Sequence, residues 1–181
     1  MERHFTVSGF VSDGERTALH WHRIQKWLPA GGHIERDEDP IEAVLREVKE
    51  ETGIDVEVLP TVVPFGHAKP PQLPPPVTIG VYDLDTDGYA DGPHQHIDFV
   101  YFTRPVSGAS LDLPGGDEAW DWVHEATLRS NPQLPVASCG ADMPIEDDVR
   151  RLALAAIAAS RASGLTRGAA GRAGRADRGQ G

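Results

Sequence analysis

Residues 32–54 read GHIERDEDPIEAVLREVKEETGI, and this stretch decides the fold. Asp39 suits a helix N-cap, Pro40 the first helical position, Glu42 the far corner of a capping box and Gly53 a left-handed stop, so a helix is predicted over 40–52. On it Glu47, Glu50 and Glu51 stand at i, i+3 and i+4, which at about 100° per residue gathers three carboxylates on one stripe. Ile41, Val44, Leu45, Val48 and Thr52 fall on the adjoining arc, the side expected to pack on a sheet. Like charges at this spacing destabilise a helix by roughly a few tenths of a kcal/mol in water. Arg46 and Lys49 are expected to offset part of the repulsion, and clustered hard oxygens are the donors that Mg²⁺ or Mn²⁺ prefers. Taken alone, the triplet also describes a plain solvated helix face.

The flanks make the pattern specific. From Gly32 the chain runs glycine, five residues, Glu38, seven residues, Arg46-Glu47, an aliphatic, any residue, Glu50-Glu51, any residue, Gly53 and an aliphatic. This resembles the Nudix box at every fixed position. Seven specified residues at roughly 5–7% background each make a chance match about 10⁻⁸ to 10⁻⁹ per register. The resemblance implies an α/β fold of the Nudix type, an α/β/α sandwich with a mixed β-sheet. It implies hydrolysis of a pyrophosphate bond in a nucleoside diphosphate derivative, such as ADP-ribose or a sugar nucleotide, or in a modified nucleoside triphosphate. It also implies Mg²⁺, with Mn²⁺ as a substitute, bound by Glu47 and Glu51 and by the backbone carbonyl of Gly31. Glu50 is then a third ligand or positions the attacking water, Arg46 orients a glutamate, and Glu38 braces the loop over the helix. The alternative is a nucleotide-sensing Nudix module that binds without hydrolysis, but a pure binder has no need to keep a self-repelling cluster. Homodimers are common in the family.

Outward from the box, FTVSGFV (5–11) and TALHWHRI (17–24) read as two strands of a hairpin around a polar turn. VEVLPTVVPF (56–65), PVTIGVYDL (76–84), HIDFVYFTR (96–104) and WDWV (120–123) follow as strands, giving the order β-β-α-β-β-β. KPPQLPPP (69–76) holds five prolines and reads as a stiff loop. Residues 145–160 begin with acids and carry Val149, Leu152, Ala156 and Ile157 at helical spacing, a second helix for the sheet. From Gly164 the composition turns Gly-, Ala- and Arg-rich with little to bury. The expected division is therefore a catalytic domain over 1–163 and a disordered tail over 164–181.

Composition narrows the function. The 181 residues carry a formal net charge of −11, and five Arg against one Asp in 161–181 give +4 there, so 1–160 carry −11 − 4 = −15. Such a field disfavours duplex nucleic acid. No apolar run approaches the roughly 20 residues of a membrane span, and MERHFTVSG lacks a signal-peptide core, so a cytoplasmic protein is expected. Cys139 is the only cysteine, which excludes an internal disulfide, and is expected to be a half-buried loop residue.

Outside the box, His94, His96 and Asp98 share a strand face by the period-two rule and are assigned to the wall of the substrate cleft, with Zn²⁺ as the rival ligand. His20 and His22 alternate in the same way. Nudix enzymes often take an extra acid from the loop before the last strand, which makes Glu118 the candidate general base or further ligand. Trp120 and Trp122 are expected on opposite faces, one in the core and one available to a base. ADP-ribose-hydrolysing members often have a proline about sixteen residues past the box, where Pro70 stands, in a run of prolines that weakens the coincidence. The dinucleoside-polyphosphate tyrosine is absent, since residue 71 is proline, and no SQPW signature occurs.

Overall fold

The computed structural model describes residues 1–67, 69–86, 91–115, 120–130, 133–136 and 138–173. In chain order they form β1 (Glu2–Val11), β2 (Arg16–His22), β3 (Lys26–Leu28), β4 (Ala30–His33), α1 (Pro40–Thr52) and β5 (Val56–Val58). There follow β6 (Thr78–Thr86), β7 (Asp91–Pro105), β8 (Trp120–His124), α2 (Glu125–Ser130), β9 (Gln133–Val136), β10 (Ala141–Pro144) and α3 (Asp147–Ala173).

The main sheet is mixed. β7 runs parallel to β1, from Glu2↔His94 to Val11↔Thr103, and antiparallel to β6 and β5 on its other edge. β4 closes the far edge of β1. Period-two alternation then divides the side chains: Val7, Val11 and Tyr101 join the core under α1, and Phe10, Val100 and Phe102 join the core under α3. The sheet thus carries one helix on each face. Gly9 permits the close approach of α1, since a Cβ there would stand 2.6 Å from Val48 Cγ2 and 2.9 Å from Val44 Cγ2.

Several expectations are corrected. β1 and β2 do not pair as a hairpin: beyond one bridge, Ser12↔Thr17, they diverge, because β1 is taken on both edges by β7 and β4 while β2 pairs with β3 and β8 in a second sheet. The strand expected over 56–65 ends at Val58, just before Pro60, which has no N–H for the ladder. Cys139 is exposed rather than half-buried. α3 continues past Gly164 to Ala173, so 164–173 have helical backbone where the composition suggested none; alanine, the strongest helix former, recurs there. The remainder of the expected tail, 174–181, lies outside the described residues. The end of the anchored part of α3 is tied down by Ser160 Oγ, which donates to Ser12 O at 2.8 Å, and by Arg161 Nε, which donates to Gly14 O at 3.0 Å.

Candidate active site

The site begins with the way α1 is started and stopped. Asp39 Oδ1 accepts the N–H groups of Ile41 and Glu42 at 2.8 and 3.0 Å, and Glu42 Oε2 accepts the Asp39 N–H at 2.9 Å, so the capping box is closed. Gly53 ends the helix at φ 73°, donating to Lys49 O. Ala43, Val44, Val48 and Thr52 are buried. Burying each valine contributes about 1.5–3 kcal/mol, which holds the neighbouring acidic stripe at a fixed place over β4.

Two glycines bring backbone to that stripe. The Gly31 N–H donates to Glu51 Oε2 at 3.1 Å. A Cβ on Gly32 would collide with the Glu47 carboxylate, so the chain passes there only without a side chain. Arg46 ties the rest together. Its Nε and Nη2 donate to Glu38 Oε1 and Oε2 at 2.6 and 2.9 Å, Nη1 donates to Glu47 Oε1 at 2.7 Å and Glu50 Oε2 at 3.1 Å, and Nη2 also reaches His33 O at 3.1 Å. The hydrogen bonds from Arg46 hold the Glu38 carboxyl below the usual glutamate range, and Glu38 in turn raises the guanidinium further. Burial pushes Glu47 the other way, above the usual range, against the pull of Arg46.

Lys49 does not share the task expected of it: its Nζ turns to Asp55 at 2.9 Å and Gly53 O at 3.0 Å. Three glutamates, Glu38, Glu47 and Glu50, therefore share one guanidinium, while Glu51 accepts the Gly31 N–H beside them. The surplus of carboxylates over cations and the hard oxygen donors are of the kind a divalent cation such as Mg²⁺ takes, and Glu47, Glu50 and Glu51 are the carboxylates that could supply them.

A cleft of about 250 Å³ opens beside the glycines. Gly31, Gly32 and His33 line one side, Arg23 and Lys26 supply cations, and Tyr82 with Asp148 of α3 closes another wall. His96 and Asp98 line it as well. Asp98 is buried, which raises its carboxyl, while the Ser8 and Thr6 hydroxyls oppose the rise; Thr6 Oγ1 donates to Oδ1 at 2.9 Å. His94 is not brought to the wall with them: it is 2% exposed and lies against the rings of His4 and His96. His20 and His22 both face the cleft. Glu118 lies outside the described residues. Trp120 and Trp122 do not point to opposite faces, since residues two apart on a strand share a side. Both pack against the core under α1; Trp120 stacks on His20 at 4.3 Å and Trp122 lies under Arg16 at 4.6 Å. Arg23, Lys26, His33 and Tyr82 escaped the sequence reading because no local spacing marks them; only the pairing of distant strands brings them together.

Residues 2–138 match the sequence model of the NUDIX domain. No curated protein matches the chain. Among solved structures, a NUDIX-family hydrolase from Clostridium perfringens is similar, with 28% identity and a TM-score of 0.63 over 87% of this chain and 97% of that one. A mutator MutT protein from Bacillus halodurans (14% identity, TM-score 0.47, 82% and 78% covered) and the ORF135 protein of E. coli (18%, 0.46, 90% and 94%) are similar at lower levels.

Proposed function

The chain belongs to the Nudix family and is a pyrophosphohydrolase, and from that premise we propose that it hydrolyses, with Mg²⁺, the pyrophosphate bond of a nucleoside diphosphate derivative or a modified nucleoside triphosphate. One observation carries the reading: Arg46 spans Glu38, Glu47 and Glu50 beside the Gly31–Gly32 backbone at a cleft of nucleotide-fragment size. Mg²⁺ held by Glu47, Glu50 and Glu51 would neutralise phosphate oxygens and acidify a water.

The residues of the chain do the rest. Arg46 fixes the carboxylates so that their oxygens need not reorganise during the reaction. Glu50, more exposed than Glu47, either joins the ion as its third carboxylate or orients the attacking water and accepts its proton. Glu118 is the rival for that proton. Gly32 lets the Glu47 carboxylate lie directly against the backbone. Arg23 and Lys26 balance substrate charge across the cleft, and His96 and Asp98 contact the substrate from the β7 wall. The same reading is compatible with a cytoplasmic enzyme and with the homodimers common in the family. Product analysis on ADP-ribose, sugar nucleotides and oxidised and canonical nucleoside triphosphates, with and without Mg²⁺, tests it. Mg²⁺-dependent cleavage of one class is expected, and no turnover on any would refute it.

A further inference from the structure

Beside the carboxylates the fold gathers four imidazoles. His4 on β1 is the register partner of His96 on β7, His94 lies two residues along β7 on the same face, and His33 ends β4 opposite Thr6. Ring centroids stand 5.2 Å apart for His4 and His94, 5.2 Å for His94 and His96, 5.9 Å for His4 and His96, and 4.9 Å for His33 and His96. One ring nitrogen from each of His4, His94 and His96 lies within 4.8 Å of the other two.

The geometry points to a second metal site, distinct from the glutamates, in which His4, His94 and His96 bind a borderline transition-metal ion of the Zn²⁺ class. Three arguments support it. First, imidazole nitrogens are donors for Zn²⁺ and its neighbours and poor donors for Mg²⁺, so the two clusters select different ions. Second, two of the rings are already turned as ligands are. His94 Nδ1 lies 2.8 Å from Gly92 O, and a carbonyl only accepts, so the proton sits on Nδ1 and the lone pair on Nε2. His4 Nε2 lies 3.1 Å from Glu2 Oε1, which by the same logic leaves the lone pair on Nδ1. Metal-bound histidines are oriented in this way, by a carbonyl or carboxylate on the other nitrogen. Third, the adjustment is small. Nitrogens in a tetrahedral Zn²⁺ site lie about 3.3 Å apart for Zn–N of about 2.0–2.1 Å, so each must move by about 1 Å, within reach of side-chain rotation.

His33 is the neighbour, not a member, of the triad. Its Nε2 meets His4 Nδ1 at 3.3 Å, a contact that a metal on His4 would replace, and its carbonyl accepts from Arg46. Of the three ligands His96 also lines the cleft, which sets the histidine cluster at the edge of the substrate space.

Zn²⁺ and Co²⁺ binding to the full chain, stripped with a chelator and then held in excess Mg²⁺ to occupy the carboxylates, tests the assignment. One equivalent of Zn²⁺ is expected to be retained, and Co²⁺ in its place should give the intense visible bands of a low-coordinate nitrogen site. His4→Asn and His96→Asn should each weaken Zn²⁺ at least tenfold with the circular dichroism unchanged, while Glu50→Gln leaves Zn²⁺ affinity as it was. Failure to retain Zn²⁺ against Mg²⁺, or affinity lost in Glu50→Gln and kept in the histidine variants, overturns it. If a histidine variant does not fold, the wild-type Co²⁺ spectrum decides alone: the pale spectrum of six oxygen ligands contradicts the site.

Discussion

Arg46 holds both oxygens of Glu38, at 2.6 and 2.9 Å, while its third nitrogen reaches Glu47 and Glu50. The guanidinium is therefore a spacer that sets one carboxylate pair against the loop residue Glu38. A lysine keeps the charge but has no planar fork. Arg46→Lys and Glu38→Gln should each lower kcat by roughly 10–100-fold, as loss of groups that orient metal ligands does, with little change in the thermal midpoint. Steady-state kinetics beside a melting curve separates this from a stability defect.

Gly32→Ala places a methyl group against the Glu47 carboxylate. Gly32 lies within the β1–β4 pairing, opposite Val7, and the nearest atoms a Cβ there would meet are those of the Glu47 side chain, so the ladder should survive while Glu47 is displaced. Misplacement by about 1 Å can cost on the order of 10²-fold, and kcat should fall on that scale. Wild-type kcat in a folded Gly32→Ala would show that Glu47 is not held where the chemistry needs it.

Burial, followed by the neighbouring charge of His22, pushes the His20 imidazole down to about 4, from 6.5 when unfolded. Between these values the unfolded chain binds a proton that the folded one refuses, so stability is full above pH 6.5 and falls as pH drops toward 4. The loss at pH 5 is about 2 kcal/mol. Urea midpoints at pH 7 and pH 5 should differ more for the wild type than for His20→Gln; equal differences would contradict a buried neutral His20.

α3 should divide into a needed and a dispensable part. A chain stopped after Ser163 keeps the Ser160–Ser12, Arg161–Gly14 and Arg161–Glu125 contacts and should melt as the full chain does. Stopping after Ala159 removes them, and should cost about 1–3 kcal/mol in a urea titration.

What was legible in the sequence was local. The limits of α1 follow from Asp39, Pro40, Glu42 and Gly53, all within one turn of the ends they fix, and the box residues follow from the helix period. The turn at 12–16 was also legible, but not that β1 would be claimed by β7, some 90 residues on, and so be unavailable to β2. The same distance hid the histidines. Period two put His94, His96 and Asp98 on one face, yet only the parallel register adds His4 and turns His94 inward. Lys49 shows the limit of spacing: it sits where it could offset the acidic stripe, and Asp55, beyond the helix end, takes it.

The most direct test is the Mg²⁺-dependent turnover of Glu51→Gln against the wild type, on whichever nucleotide of the panel the wild type cleaves. The variant keeps a side-chain oxygen for the Gly31 N–H and should fold, but loses a charged ligand; its kcat should fall by about 10²-fold or more. Wild-type turnover by folded Glu51→Gln would contradict pyrophosphate hydrolysis on the Glu47/Glu50/Glu51 face.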